Sequence, residues 1–175
     1  ERFFPAEKII HTGNPIRSNI HPYSPEERMR AIEYFQLDPG KKTILVVGGS
    51  LGCGTLNKVM KNLAIKSKGS LPYQVIWQSG KGYRDGIVEF FTLNNGVIAD
   101  ENSRRMGNIL NLDFIFNMEH ALAVADIVVS RAGAGTISEL CTAGKASIFV
   151  PSPVVAEDHQ THNALSLVQS DAAIM

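Results

Sequence analysis

Short apolar runs alternate with segments of helical pattern along most of this chain. The strand-like runs occupy positions 43–47, 73–78, 110–116, 127–130 and 147–150. Apolar runs of this length are typical of parallel strands that are buried on both faces. Because parallel strands need long crossover connections, which are usually helices, the alternation predicts an α/β fold, a doubly wound parallel sheet with right-handed crossovers.

The helical segments begin and end at recognisable residues. Ser24 precedes Pro25 and stands three residues before Glu27, the pattern of an N-cap, a first-turn proline and a capping box. Further helices are expected after the glycine turn at 48–52 up to about position 65, and over 85–93, 119–125, 136–143 and 158–169. Segment 94–108 has mixed polarity and weak periodicity, so we predict a loop there with room for one short strand.

The composition is that of a globular domain. The chain has 175 residues, of which 44% are hydrophobic and 19% are charged, enough for one domain with a core. Lys plus Arg and Asp plus Glu both count 17, so no nucleic-acid partner is expected. The two cysteines, Cys53 and Cys141, lie far apart in the sequence, which favours a reducing, cytosolic setting over a disulfide framework.

The ends of the chain predict a piece of a longer protein. The sequence begins with Glu1 rather than Met, and we predict the start of an apolar strand at 173–175. We therefore expect residues 1–17 to be an interdomain linker that includes a first strand at 8–11. Residues 18–175 are expected to form one ligand-binding domain.

Polar and glycine-rich turns follow the predicted strands. Ligands of doubly wound sheets bind outside the carboxyl ends of the strands. The turns after Val47, Gln78, Phe116, Ser130 and Val150 all belong to that edge. They also hold most of the glycines and polar side chains that suggest chemistry, so we predict a binding site there.

The first of these turns is the glycine-rich segment 48–55. Backbone N–H groups at a strand-to-helix turn can hold an anion such as a phosphate. The segment lacks the spacing of the dinucleotide fingerprint, and the lysine that a P-loop has before Thr55 is missing. Glycine also relieves steric crowding in tight turns. The residues alone leave both interpretations open.

A second glycine turn, at 133–136, opens another predicted helix. Thr136 and Glu139 have the spacing of a capping box, but a carboxylate at this place can also accept two hydrogen bonds from a ribose diol. Arg17 follows a turn and is either a surface residue or a bidentate ligand for a diphosphate.

The polar start of the last predicted helix also offers ligand-binding groups. Gln160 is neutral, can donate and accept, and suits sugar hydroxyls, whereas Asp158 has the place of an N-cap. His159 and His162 are three residues apart, a conceivable metal pair, but no further Cys or His has a matching spacing. Together with the glycine turns, these residues predict a site for a phosphorylated, sugar-like ligand.

Five motifs resemble, in order and spacing, the MurG family of bacterial cell-wall N-acetylglucosaminyltransferases. They are TGNPIR at 12–17, GGSLG at 48–52, QSGK at 78–81, SRAGAGTISE at 130–139 and DHQTHNA at 158–164. The resemblance covers nearly the whole chain and matches the C-terminal half of the family. It implies the GT-B architecture, in which two Rossmann-like domains face each other across a cleft, and makes this chain the donor-binding C-terminal half.

The resemblance also implies which residues bind the donor UDP-N-acetylglucosamine. Ser50 and its glycines would contact the diphosphate, the backbone of Ile115 the uracil, and Glu139 the ribose hydroxyls. The expected substrate-binding residues are Arg17, Gly49, Ser50, Gly52, Gln78, Phe114, Ile115, Gly135, Thr136, Glu139, His159, Gln160 and Asn163. The chain departs from the family pattern at Leu51 and His159, where family members often have glutamine. These two departures leave the sugar specificity of the donor site less well defined.

The implied reaction is an inverting transfer of N-acetylglucosamine to lipid I, which gives lipid II in peptidoglycan synthesis. It implies no metal and no other cofactor, and a general base in the N-terminal half, so no catalytic residue is expected in this chain. Lipid I is expected to bind through that half. The full protein is expected to be a peripheral protein at the cytoplasmic face of the bacterial inner membrane. The alternatives are a related glycolipid glycosyltransferase that uses another UDP-hexose, and a non-catalytic nucleotide-sugar binding module.

Overall fold

A seven-stranded sheet forms the centre of the computed structural model, which describes residues 5–10, 12–152 and 158–175. The strands are β1 (Thr43–Val47), β2 (Gln74–Gln78), β3 (Val97–Ile98), β4 (Ser103–Met106), β5 (Ile109–Leu112), β6 (Ile127–Ser130) and β7 (Ala146–Phe149). The helices are α1 (Pro25–Tyr34), α2 (Gly54–Ser67), α3 (Arg84–Leu93), α4 (Met118–Val124), α5 (Ala134–Thr142) and α6 (His159–Val168). Short 3-10 turns occupy Ala6–Lys8 and Lys81–Tyr83.

The sheet has the order β3-β4-β5-β2-β1-β6-β7. The neighbours from β5 to β7 are parallel, which confirms the predicted doubly wound α/β class, and β3 and β4 join as an antiparallel edge. Val47 pairs with both Gln78 and Ser130, and Gln78 pairs with Leu112. The parallel strands therefore end level with one another, and the turns that follow them share one edge.

Two apolar layers cover the two faces of the sheet. Because side chains alternate along a strand, Leu45 of β1 packs in the layer with α1, α4 and α5, and Val46 packs in the layer with α2 and α3. Ile76 and Trp77 of β2 divide between the layers in the same way. The Trp77 indole N–H donates to Asn57 Oδ1 at 2.9 Å, so this buried polar group is satisfied.

Three predicted elements differ in the structure. No strand forms at 8–10, where the chain leaves a 3-10 turn, and His11 lies outside the described residues. Segment 94–108 holds two short strands rather than one, because strands of two and four residues are too short to show a periodic pattern. The strand expected over 110–116 ends at Leu112, where the chain turns away from the sheet.

Other predicted features lie at the start of α1 and at the end of the chain. The capping box of α1 is confirmed: Glu27 N–H donates to Ser24 Oγ, and Ser24 N–H donates to Glu27 Oε2. At the strand start predicted for 173–175, Ile174 forms an isolated parallel bridge with Ile148 of β7 rather than a strand. None of the helices found in the described part of the chain is long and apolar enough to cross a membrane.

Candidate functional site

A pocket of about 220 Å³ opens at the level carboxyl ends of the strands. Eight of the residues predicted as substrate-binding line it: Arg17, Gly49, Ser50, Gln78, Phe114, Ile115, Thr136 and Glu139. Gly52, Gly135, His159, Gln160 and Asn163 are not part of its lining. The structure thus brings these eight residues together in one pocket, from the turn after β1, the end of β2, the loop after β5, helix α5 and the segment before α1.

The glycine turn between β1 and α2 forms one side of the pocket. Gly49 has a φ of +85°, and space around its α-carbon is open, since an added Cβ would meet nothing within 4 Å. Gly52 has a φ of +80° but packs against the main chain of Ser79 and Gly80, where an added Cβ would overlap Ser79 O. Glycine therefore serves close packing at position 52 and leaves an exposed turn at positions 49 and 50.

Gln78 ties two turns of this edge together. Its Oε1 accepts from Gly48 N–H at 3.0 Å, and its Nε2 donates to Asp113 O at 3.3 Å. The side chain is buried, with 3% of its surface exposed, although the residue lines the pocket. Both ends of the amide are used within the protein, and direct contact of Gln78 with a ligand stays a prediction.

The start of α5 forms the opposite side of the pocket. The capping box expected at Thr136 is wrong, because α5 begins earlier, at Ala134, and its N-cap is Gly133 without a side-chain hydrogen bond. The first turn therefore keeps N–H groups that no side chain caps. Together with the helix dipole, such groups favour an anion at this end of the helix.

Glu139 is held by an arginine rather than by its own helix. Arg17 Nε donates to Glu139 Oε1 and Arg17 Nη2 donates to Oε2, both at 2.7 Å. This side-on pair raises the pKa of Arg17, through the hydrogen bond to Glu139. Two carboxylate oxygens have about four acceptor positions, so roughly two stay available for hydroxyl groups of a ligand.

The segment before Arg17 is fastened to the same helix. Asn14 Nδ2 donates to Ser138 Oγ at 2.9 Å, one residue from Glu139. Two side-chain contacts, three residues apart in the segment, therefore join residues 12–17 to α5. Arg17, the last residue of the segment predicted as a linker, is thereby held in the pocket wall.

The residues at the start of α6 contact neighbouring loops and do not line the pocket. Gln160 Oε1 accepts from Ser152 N–H at 2.9 Å, and Asn163 Nδ2 donates to Ala132 O at 3.1 Å. His159 is exposed at the first position of α6. Asp158 is the N-cap of α6, as predicted, but it has a φ of +52° and makes no side-chain cap hydrogen bond. Its Oδ1 accepts from Thr161 Oγ1 at 2.6 Å.

Metal-binding groups do not cluster in the part of the chain that is described. Within residues 5–10, 12–152 and 158–175, no three His, Cys, Asp or Glu side chains are grouped as ligands for an ion. Cys53 is buried at the N-cap of α2, where its Sγ accepts from Leu56 N–H at 3.4 Å. Its surroundings are those of a structural residue.

Sequence reasoning missed the apolar floor of the pocket. Its members are Leu45, Val47, Met118, Leu122, Val128 and Leu140, and the lining also includes Ser130. These side chains follow the same periodic pattern as the core, so no signal in the sequence separates a pocket floor from core packing. The sequence also gave no signal for Asn102, whose contacts are described below.

The fold and the pocket define a doubly wound α/β domain with a pocket at the carboxyl edge of the sheet, which is where folds of this class bind their ligands. Residues 43–175 match the model of the glycosyltransferase family 28 C-terminal domain, and the chain belongs to that family. The resemblance carried by the five sequence motifs is thereby confirmed.

Similar proteins point in the same direction. The chain is 48% identical over 174 residues to the UDP-N-acetylglucosamine–N-acetylmuramyl-(pentapeptide) pyrophosphoryl-undecaprenol N-acetylglucosamine transferase of Bacteroides fragilis, covering 99% of this chain and 43% of that protein. The protein of the same name from Parabacteroides distasonis is 46% identical over 175 residues, covering 100% and 44%. The chain therefore spans less than half the length of these relatives.

Solved structures share the fold. The crystal structure of MurG from Acinetobacter baumannii superposes with a TM-score of 0.63 at 29% identity, covering 98% of this chain and 43% of that one. The glycosyltransferase SnogD from Streptomyces nogalater has a TM-score of 0.53 at 16% identity, covering 98% and 39%, a likeness of fold alone.

Proposed function

We propose that this chain is the donor-binding part of an inverting glycosyltransferase that moves N-acetylglucosamine from UDP-N-acetylglucosamine to lipid I and so forms lipid II. The observation that carries the proposal is the pocket in which the exposed turn at 49–50, the uncapped start of α5 and the Glu139 carboxylate face one space. The two relatives described above are named for this transfer, which supports the choice of substrates.

Each part of the donor has matching groups around the pocket. The diphosphate is assigned to the turn around Ser50 and to the first turn of α5 near Thr136, where main-chain N–H groups favour negative charge. The ribose diol is assigned to the acceptor positions of Glu139 that Arg17 leaves open. The uracil is assigned to the main chain of Ile115, and the sugar hydroxyls to Gln160, whose Nε2 donates to no described residue.

The chemistry assigned to this chain is stabilisation of the leaving group. The C4 hydroxyl of the acceptor attacks the anomeric carbon, a new C–O bond forms, and the bond from that carbon to UDP breaks. The hydroxyl proton passes to a general base that we assign to the N-terminal half. Negative charge gathers on UDP as the bond breaks, and we assign the stabilisation of that charge to the N–H groups of α5 and to the Arg17 guanidinium.

The same proposal extends to the setting of the whole enzyme. We assign lipid I binding to the N-terminal half and place the full protein at the cytoplasmic face of the bacterial inner membrane, as a peripheral protein. The names of the relatives support this, because they describe an acceptor carried on undecaprenol.

Titration calorimetry with UDP-N-acetylglucosamine tests the donor site. We expect saturable binding with a dissociation constant in roughly the micromolar range, weakened at least about 10-fold in Glu139→Ala. Glu33→Ala, which removes an exposed carboxylate of α1, is the matched control and should bind like the wild type. No heat with the UDP-sugar but saturable binding of NAD would contradict the proposal.

Two further experiments separate the alternatives. Competition among UDP-N-acetylglucosamine, UDP-glucose and UDP-galactose identifies the sugar and tests for a glycosyltransferase with another donor. Assay of the full-length enzyme with lipid I tests for transfer, since a non-catalytic binding module would bind the donor and form no lipid II.

A further inference from the structure

The turn between β3 and β4 is organised by one carboxylate. Asp100 Oδ1 accepts from the main-chain N–H groups of Asn102 at 2.7 Å and Ser103 at 2.8 Å, and its Oδ2 accepts from Ser103 Oγ at 2.6 Å. These hydrogen bonds, led by the one from the Ser103 hydroxyl, lower the pKa of Asp100. The turn is therefore fixed by its own side chains.

Asn102 of this turn grips the loop that follows β5. Its Nδ2 donates to Phe114 O, and its Oδ1 accepts from Phe114 N–H, both at 3.0 Å. The main-chain oxygen of Asn102 also accepts from Asp113 N–H at 2.9 Å. Both polar main-chain groups of Phe114 are consequently satisfied by one side chain.

A buried ion pair supports the same contact. Arg104, which is fully buried, donates to both carboxylate oxygens of Asp113 and to the main-chain oxygens of Glu101 and Asn102. The turn and the loop are thus joined at Asp113 and again at Phe114. The loop cannot shift there without breaking charged hydrogen bonds.

The residue that follows Phe114 is Ile115, and its main-chain groups differ from those of Phe114. Ile115 has its side chain buried, at 4% exposure, while its N–H and C=O make no hydrogen bond with the described residues. Both Phe114 and Ile115 line the pocket. Buried main-chain groups are nearly always paired, so an unpaired donor and acceptor beside a pocket are ready for a ligand.

We propose that Asn102 is a positioning residue for base recognition: it holds the main chain of Phe114 so that the N–H and C=O of Ile115 face the base of the bound nucleotide. The inference rests on the proposed function and deepens it, since Asn102 itself touches no substrate. Uracil presents an N3–H donor beside carbonyl acceptors, which one N–H and one C=O can match. Cytosine has an acceptor at N3 and an amino donor beside it, so the same peptide in the same place pairs with it poorly.

Binding of UDP and CDP measured by calorimetry tests this role. We expect the wild type to prefer UDP, Asn102→Ala to weaken UDP binding about 10-fold, about 1.4 kcal/mol, and the preference over CDP to fall toward one. Asn102→Asp keeps the acceptor for Phe114 N–H and loses the donor to Phe114 O, so we expect an intermediate preference. Glu139→Ala should weaken UDP and CDP alike, because both carry the ribose diol.

The matched control is Asn94→Ala. Asn94 also binds a main-chain oxygen, with Nδ2 donating to Phe90 O at 2.8 Å, but it stands at the end of α3 outside the pocket lining. A general loss of stability would therefore appear in this variant without any change in the UDP preference.

The outcomes separate the two proposals. If the wild type binds neither UDP nor UDP-N-acetylglucosamine, the proposed function fails, and the role of Asn102 falls with it. If the wild type binds UDP but shows no preference over CDP, or a folded Asn102→Ala keeps that preference, only the role of Asn102 is overturned. Where Asn102→Ala does not fold, the Asn102→Asp preference decides: an unchanged preference overturns the role, and a reduced one supports it.

Discussion

Gly49 and Gly52 belong to the same turn but are required for different reasons. Gly49 and Gly52 both have positive φ, where side chains with a Cβ are strained by about 1–2 kcal/mol. Only Gly52 also packs against a neighbouring main chain, that of Ser79 and Gly80. Position 52 is therefore restricted twice, by conformation and by space, and position 49 once.

Alanine at each position measures this difference. We expect Gly52→Ala to lower the free energy of unfolding by about 2–5 kcal/mol, because strain and overpacking add. Gly49→Ala, the matched control, should cost only about 1–2 kcal/mol. Urea denaturation gives both values, and equal losses in the two variants would show that packing against Ser79 and Gly80 is unimportant.

How far the sequence predicts a site residue depends on whether its role leaves a local pattern. Ser50 and Thr136 stand in glycine turns between strand and helix, so the sequence placed them at the pocket. The capping interpretation of Thr136 and Glu139 was wrong because the true start of α5 at Ala134 has no distinctive cap residue. Asn102 acts through a contact with Phe114 across a hairpin, and no spacing in the sequence encodes such a contact.

At the scale of elements, one carboxylate joins α1, β1 and the start of β6. Asp126 Oδ2 accepts from Thr43 N–H at 2.8 Å and from Arg28 Nη2 at 3.1 Å, and Oδ1 accepts from Lys42 Nζ at 3.0 Å. Burial alone would raise the pKa of Asp126, but the hydrogen bonds from Thr43, Lys42 and Arg28 outweigh it and lower the pKa. The junction is therefore tighter when Asp126 is ionised.

Acid should weaken this junction in a predictable direction. Because the folded state has the lower pKa, the contribution of Asp126 is complete above the unfolded-state pKa of about 3.9 and is lost as the pH falls through the folded-state value. Asp126→Asn should be less stable by about 1 kcal/mol at pH 7, and its stability should fall less between about pH 5 and pH 3. Urea denaturation across this range checks the slopes, and parallel curves for the two proteins would refute the assignment.

The element pattern was predictable wherever an element was long or buried. Residues 43–47 and 127–130 matched their strands because continuous apolar runs suit the centre of a parallel sheet. The sequence pattern did not predict β3 and β4 as a pair of strands, because both are short and because Arg104, a charged residue, is buried in β4. Pairing with Asp113 makes that burial possible, and the partner lies nine residues further along the chain.

At the scale of the whole molecule, the pocket depends on distant parts of the chain. Its lining runs from Arg17 to Leu140, and the wall joins residues at the carboxyl ends of the parallel strands with residues of the turns and helices that follow them. These turns meet only because the parallel strands end level. A ligand that binds this pocket therefore binds the complete domain and has no comparable site on the unfolded chain.

Ligand binding should consequently raise the thermal stability of the entire domain. UDP at about 100 times its dissociation constant adds roughly 2.7 kcal/mol, which should raise Tm by about 5–10 °C for a chain of this size. Differential scanning fluorimetry measures the shift. Glu139→Ala at the same UDP concentration should show a smaller one, and an unmoved wild-type transition would argue against the pocket as the UDP site.

The overall arrangement of the sheet could be predicted from the sequence, because it follows from the order of strands and helices. Alternating strands and helices are enough to predict the parallel sheet and its binding edge, since few other arrangements bury such runs. The boundary between a linker at 1–17 and a domain at 18–175 stays a prediction. The contacts of Asn14 and Arg17 with α5 arise between residues more than 120 positions apart, and no local pattern announces them.

The main-chain N–H and C=O of Ile115, which make no hydrogen bond with the described residues, have a consequence for how such a protein evolves. A base that is recognised by main-chain atoms is indifferent to the side chain at that position, so exchanging Ile115 for another apolar residue does not create a new nucleotide preference. Adaptation to another nucleotide would instead require the hairpin around Asn102 to move the peptide itself. On the proposal for Asn102, the residues that determine which nucleotide binds would lie in a short edge hairpin outside the pocket lining.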